Sequence, residues 1–281
     1  MKIQTIAFYG AGMLGSGFVK SLRRQGYDVR VWNRTFSKAQ ALEAAGARAF
    51  EDAAEAARGA DAVHLCLRDG DTVDGALAAA MSGIAPGTPV IDHTTVAVDS
   101  VVPRAQRLQA AGLQFLSAPV FMGPAHAESA QGTMLASGPQ ALYDALESHL
   151  ATMTGKLRYF GENYETAATY KLLGNAMILA VIGGVNDVLR IADARGMSRE
   201  SAFEIFSIFD PSLQIQGRGK KMAAGDFTPA WTLEMARKDA RLMQAAAHHT
   251  PLPVIDGVEA ALARAEAGGL GAHDLGAIAA R

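Results

Sequence analysis

Cysteine, tryptophan and net charge are what this 281-residue chain has least of, and each shortage excludes something. Its one cysteine, Cys66, can form neither an intramolecular disulfide nor a multi-cysteine metal site, so the expected compartment is reducing and cytoplasmic. The 26 Lys and Arg against 28 Asp and Glu leave a formal net charge of -2, too little positive field to hold a nucleic-acid backbone or an anionic membrane. The expected partners are therefore a small-molecule substrate and further copies of the chain, as a homodimer or higher homo-oligomer. No apolar run reaches the ~20 residues that cross a bilayer. The longest, Leu172 to Val185, is interrupted by Asn175 and bounded by Lys171 and Asn186, and reads as a buried helix. The opening MKIQTIAFYGAG is too short in its apolar part for a secretion signal and reads as a strand. None of the 7 histidines shows ligand spacing, so no metal site is expected. His64 falls on a core strand, His149 on a helix and the adjacent His248 and His249 near a helix end.

What is present is an alternation of short β-branched runs with Ala-rich amphipathic ones, the pattern of a parallel sheet wound with helices. Strands are expected at Ile3–Tyr9, Asp28–Trp32, Ala47–Phe50, Ala62–Leu67, Val90–Asp92 and Leu113–Leu116. A pair at Thr133–Ser137 and Lys156–Tyr159 is expected to finish the same sheet. Gly26, Gly46, Gly59 and Gly112 follow the intervening helical stretches as C-terminal stops. From Asn163, a capping residue, an apolar helical pattern then runs without proline to Arg195 and ends at Gly196. Ser198 caps the next helix, and Pro211, Pro229, Pro251 and Pro253 punctuate the rest. The fold class is α/β: an N-terminal doubly wound domain over residues 1–162, a long interdomain helix over 163–195 and an all-α C-terminal domain over 196–281.

Gly10-Ala11-Gly12-Met13-Leu14-Gly15 lies between an expected strand and an expected helix, where G-x-G-x-x-G has a mechanism. The first glycine permits the tight turn, the second lets backbone approach a pyrophosphate, and the third lets helix and strand pack closely. That makes the first domain a dinucleotide-binding Rossmann domain. At the end of the second strand, an NAD-preferring site places a carboxylate for the ribose hydroxyls; here stand Asn33, Arg34 and Thr35, with Lys38 a turn later. A guanidinium grips a 2′-phosphate that a carboxylate would repel, so the expected cofactor is NADP(H). Arg34 as a solvated charge after a strand is the plainer alternative. Leu67, at the end of the fourth strand, and Thr95, after the fifth, complete the expected cofactor edge.

Lys171 and Asn175 are four residues apart and share one face of the long helix. An ammonium among Leu172, Leu173, Ala176 and Met177 suits a general acid/base whose pKa burial depresses, although a lysine snorkelling to solvent has the same spacing.

Taken together, four segments resemble the β-hydroxyacid dehydrogenases, the family of 3-hydroxyisobutyrate dehydrogenase and the glyoxylate/succinic semialdehyde reductases. They are Gly10–Gly15; Ala118-Pro119-Val120 leading to Gly123 and Gly132; Lys171 with Asn175; and Lys238-Asp239. The resemblance implies that Lys171 is the catalytic acid/base, that Asn175 positions it and the substrate, that Lys238 lies at the cofactor, and that the loop after Ala118 holds a substrate carboxylate. That loop usually reads Ala-Pro-Val-Ser-Gly-Gly. Here Phe121 replaces the serine and Met122 a glycine, which puts carboxylate recognition in doubt and points to less polar carbonyl substrates. The expected substrate residues are thus Thr95, Phe121, Met122, Gly123, His126, Lys171 and Asn175. The reading is an NADP(H)-dependent oxidoreductase interconverting a small carbonyl compound and its alcohol or β-hydroxyacid. Imine reduction, and a non-catalytic NADP-binding role, are the alternatives.

Overall fold

The structure, a computed structural model, describes residues 1–248 and 250–280; His249 and Arg281, and so half of the His248-His249 pair, lie outside the described residues. The chain divides into two compact units, Met1–Asn175 and Ala176–Arg281.

The first unit is built on a six-stranded parallel sheet in the order β3-β2-β1-β4-β5-β6. Its strands are β1 Thr5–Tyr9, β2 Asp28–Trp32, β3 Arg48–Phe50, β4 Ala62–Leu65, β5 Pro89–Asp92 and β6 Gln114–Ser117. Side chains alternate across it, as the two-residue period of a strand requires. Ile6 and Phe8 enter one apolar cluster with Phe18, Val19 and Leu22 of helix α1 (Met13–Arg24). Ala7 and Tyr9 enter another with Ala53 and Ala56 of α3 (Ala53–Ala57), Val73 and Leu77 of α4 (Gly70–Ala80) and Leu108 of α5 (Val101–Ala110); α2 (Phe36–Gln40) precedes β3. Both faces are thus covered, which is why β4 and β5 are buried at every position. The strand order reverses between β1 and β4, and ligands of such sheets bind at the carboxyl edge of that switch.

The expected closing strands do not finish this sheet. They form a second one, β7 Val120–Phe121, β8 Thr133–Ala136 and β9 Lys156–Tyr159, in which β7 and β8 are antiparallel and β8 and β9 parallel. Between the sheets, Ser117 and Ser137 exchange both backbone hydrogen bonds. At the next pair Leu135 donates to the Pro119 carbonyl, and Pro119, having no N–H, cannot return the bond. Proline therefore interrupts the ladder at the start of the loop that carries Phe121. The short helix α6 (Pro124–Glu128) and the longer α7 (Gln140–Ala151) connect these strands.

Helix α8 spans Glu165–Ala194, with the Asn163 carboxamide oxygen accepting from the Glu165 N–H at 3.1 Å, so the expected cap is in place. Its first three turns belong to the first unit. The expectation that it is buried fails: Leu173 is 61% exposed, Leu179 73% and Ile182 63%. It is also long and apolar enough to cross a membrane, a length that the proline-free pattern carried and the shorter apolar run concealed. The second unit is helical. Ser198 caps Arg199–Phe203 by accepting from the Ser201 N–H, Pro253 opens Pro253–Ala265, and Leu233 with Leu262 anchors a small core. A buried Asp274 organises it, accepting from Arg218, Gly276, Ala230 and Trp231.

His64, His93 and His149 are all buried and form a chain through the core of the first unit. His93 Nδ1 lies 2.8 Å from the Ala118 carbonyl, His93 Nε2 2.9 Å from His64 Nδ1, His64 Nε2 3.1 Å from His149 Nε2, and His149 Nδ1 3.1 Å from the Tyr27 hydroxyl. A carbonyl only accepts, so His93 must donate there and accept from His64, His64 must accept from His149, and Tyr27 must donate to His149. Three neutral imidazoles satisfy this in a single direction. Burial and mutual proximity push the His64 pKa well down; burial takes His93 and His149 down to about 4.

Candidate active site

The glycine turn is a backbone construction. Gly10 has φ +115°, and a Cβ there would overlap the Cys66 carbonyl; a Cβ on Gly15 would overlap the Gly10 carbonyl. At Gly12, by contrast, a Cβ would meet nothing within 4 Å: the space above this residue is open. Gly12 is also the N-cap of α1, with no side-chain cap and no acidic residue in the first turn, so among the described residues the first N–H groups of the helix face that space without a protein partner. Open room over the positive end of a helix dipole suits a pyrophosphate.

These residues line a cleft of about 480 Å³ at the carboxyl edge of β1, β2 and β4. Of the residues expected at the cofactor, Gly10, Gly12, Met13, Leu14, Gly15, Asn33, Arg34, Thr35, Lys38 and Leu67 line it. Ala11 is buried beneath it and donates its N–H to Asn33 Oδ1 at 3.1 Å, while Asn33 Nδ2 donates to the Thr35 carbonyl at 2.9 Å. Asn33 therefore ties the glycine turn to the segment carrying Arg34. Arg34, Lys38 and Arg68 bring three cations to the lining; Arg68 is paired with the Asp69 carboxylate at 2.6 Å, and among the described residues no carboxylate is itself part of the lining. Arg68 escaped the sequence reading, as did Trp32, Cys66, Thr72 and Pro124; the ends of β2 and β4 were the signal for the first three of these, since that sheet edge faces ligands. Cys66 is inert there, its thiol pushed up to about 12 by burial and by Asp92.

Thr95 is exposed and absent from the lining. Its neighbour Thr94 is buried and uses its hydroxyl to accept from the Leu67 N–H at 3.0 Å, tying the end of β5 to the end of β4. Lys238 stands on the Leu233–Ala246 helix of the second unit, 2.8 Å from Asp239.

A second cluster gathers on the start of α8. Lys171 Nζ donates to Asn175 Oδ1 at 3.0 Å, and the Phe121 ring centroid lies 4.3 Å from the same nitrogen. Desolvation lowers the Lys171 pKa, with no charged neighbour contributing. A lysine held this way is not snorkelling freely. Met122 and Gly123 follow Phe121 in the half-buried loop. His126 is exposed and turned back on its own helix, its Nδ1 accepting from the Gly123 N–H at 3.4 Å.

The family description that matches, over residues 5–161, is the NAD binding domain of 6-phosphogluconate dehydrogenase. Among curated proteins, the chain is 30% identical over 256 residues to the cytokine-like nuclear factor N-PAC of Homo sapiens, covering 88% of this chain but 46% of that protein, so it spans less than half the length of that relative. It is 28% identical to an uncharacterized oxidoreductase of Shewanella frigidimarina, over 83% of this chain and 82% of the other. Among solved structures, an imine reductase from Myxococcus stipitatus in complex with NADP+ superposes with a TM-score of 0.90 at 20% identity, covering 98% of each chain, a likeness of fold. The glycine turn, its cleft and the matched domain agree: the chain belongs to the β-hydroxyacid dehydrogenase family, whose members share the NAD-binding domain of 6-phosphogluconate dehydrogenase.

Proposed function

We propose that this protein is an NADP(H)-dependent reductase of small, weakly polar carbonyl compounds, with Lys171 as its general acid. The observation that carries the reading is Lys171 itself: half-buried, desolvated and held by Asn175 without a carboxylate partner. Reduced nicotinamide supplies a hydride to the carbonyl carbon when bound. The oxygen then needs a proton, and Lys171 Nζ gives it, taking it back in the oxidative direction. Preference for NADP is supported by Arg34 and Lys38 in the cleft lining, where a 2′-phosphate meets donors; Arg68 is already paired with Asp69. Phe121 and Met122 support the substrate class, because a carboxylate facing them would lose water without gaining a bond.

The test is consumption of NADPH and NADH across a panel of aldehydes, ketones, 2-oxo acids and cyclic imines. Turnover of apolar aldehydes or ketones with NADPH is expected; a preference for NADH, or for glyoxylate, would overturn the reading. Imine reduction is the second reading, supported by the same apolar loop and by the fold shared with imine reductases. It wins if cyclic imines turn over and carbonyls do not. NADPH binding without turnover of any class would favour a non-catalytic role, the direction in which the nuclear-factor relatives point.

We also propose that the chain works as a homodimer, with a second copy covering the exposed apolar face of α8. An apolar stripe of this length is more than a monomer ordinarily leaves in water. Lys171, Asn175 and a buried Asp187 on the same helix argue for a protein cover over a lipid one. A monomer by sedimentation would remove this proposal.

A further inference from the structure

Phe121 stands where the family resemblance leads one to expect a serine hydroxyl, and its place in the structure gives it a task beyond excluding carboxylates. Its ring lies over the Lys171 ammonium and also fills the space that a Cβ at position 174 would need. Gly174 is in the interior of α8, where glycine is an unfavourable residue. Lys171, Gly174 and Asn175 are at i, i+3 and i+4, one above another on a single face. The helix thus lacks a side chain at the point where the ring seats.

An ammonium has three N–H donors and no acceptor. Asn175 Oδ1 takes one, and the face of the Phe121 ring receives another. The groups facing the ammonium from β7 and from its own helix are uncharged, Phe121, Gly174 and Asn175, and among the described residues no charged group contributes to its titration. We propose that Phe121 is a positioning residue for Lys171: seated on Gly174, its ring holds the ammonium against Asn175 and leaves the third N–H aimed at the substrate oxygen.

The chemistry explains why such a seat is useful. Desolvation alone favours the neutral amine, which cannot donate a proton. A ring face favours the cation. Together they let the lysine sit away from water and still be an acid, the form that reduction needs. In the transfer the Nζ–H bond breaks with its electron pair left on nitrogen, the O–H bond forms, and the neutral amine recovers its proton from water. The inference rests on the acid role given to Lys171 above, and its test is chosen so that the two can fail separately.

Phe121→Leu keeps apolar bulk and removes the ring face; Gly174→Ala keeps the ring and unseats it. Two readouts need no turnover: the pH titration of the ¹³Cε resonance of Lys171 in the full chain with NADP+, assigned with Lys171→Arg, and the thermal midpoint. The wild-type resonance should show an aromatic ring-current shift, and its titration midpoint should move to lower pH in both variants. Gly174→Ala should lower Tm in the wild type, because of the overlap with the ring, yet raise it by about 2–4 °C in a Phe121→Ser background, where only helix propensity is left. With a substrate from the panel, Phe121→Leu should lower kcat by about 3- to 30-fold with KM little changed. An unmoved Lys171 midpoint in Phe121→Leu, or strictly additive effects of the two substitutions on Tm, would overturn the proposal. If the ring shift and the Tm reversal hold while Lys171→Ala retains full turnover, the seat is real and the reading of Lys171 as the acid is what falls.

Discussion

The cofactor cleft and the lysine cluster belong to the same unit but are made of different material. The cleft is made mostly of backbone: three glycines, the free N–H groups at the start of α1, and an asparagine bracing the turn to the next strand. The lysine cluster is made of side chains, an ammonium between a carboxamide and an aromatic face. Backbone constructions restrict residue type severely, because a Cβ either fits or overlaps. Side-chain constructions admit many solutions, and which one was adopted shows only when the chain is folded.

That difference suggests experiments of unequal size. The largest effect belongs to the side-chain site: Lys171→Ala should lower kcat by about 10²- to 10⁴-fold, the usual worth of a positioned acid, with NADPH affinity nearly intact. Equal losses in kcat and in coenzyme affinity would show that the two sites are not separable. Gly12→Val is the matching change in the backbone site. Since a Cβ there meets nothing, the fold should keep its Tm while the branched side chain fills the room over the helix, weakening NADPH by about 100-fold. A drop in Tm without loss of binding would mean that the open space serves packing. Next in size is Arg34→Ala. Losing one charge-assisted contact costs ~1.5–3 kcal/mol, so NADPH should weaken by about 10- to 100-fold and NADH hardly at all, by fluorescence titration. Equal weakening of both coenzymes would remove Arg34 from the 2′-phosphate.

The same contrast explains what could be read before folding. The strand and helix sequence, the glycine turn and the Arg34–Lys38 segment were legible because each residue type answers a local backbone or charge demand. The pairing of Lys171 with Asn175 was legible because both are on one helix at i, i+4. The seat of Phe121 on Gly174 was not: 53 positions separate them in the sequence, and although the loop pattern marks Phe121, nothing local pairs it with Gly174. The bond from the Leu67 N–H to the Thr94 hydroxyl was not legible either, because only the chain direction after β5 decides which of two adjacent threonines turns inward. The break at Pro119 was visible as a proline, but not the strand it would have paired with. The exposed face of α8 was not legible, because apolar composition does not say whether the chain itself covers a surface.

The last and smallest effect concerns the histidine chain, which steadies the lysine site from behind by holding the Ala118 carbonyl at the start of the Phe121 loop. At neutral pH the chain is satisfied and contributes no pH dependence. The folded protein holds His93 and His149 down to about 4 and His64 well below its ordinary value, whereas the unfolded chain takes up protons near 6.5. Stability from the histidines is therefore fully present above pH 6.5 and is lost as pH falls from 6.5 toward 4, at up to ~1.4 kcal/mol per pH unit for each histidine. Asp92, next to His93 in the sequence and buried, works the other way: desolvation raises its pKa to about 6, so its protonation favours the folded state over part of the same range. Three histidines against one carboxyl leave a net loss on acidification, and Asp92→Asn, which deletes the opposing group, should steepen it. Urea unfolding midpoints between pH 7.5 and 4.5 measure both slopes. A flat wild-type profile, or one that Asp92→Asn flattens instead of steepening, would show that the imidazoles are protonated in the folded chain and that the one-way hydrogen-bond order through the core is wrong.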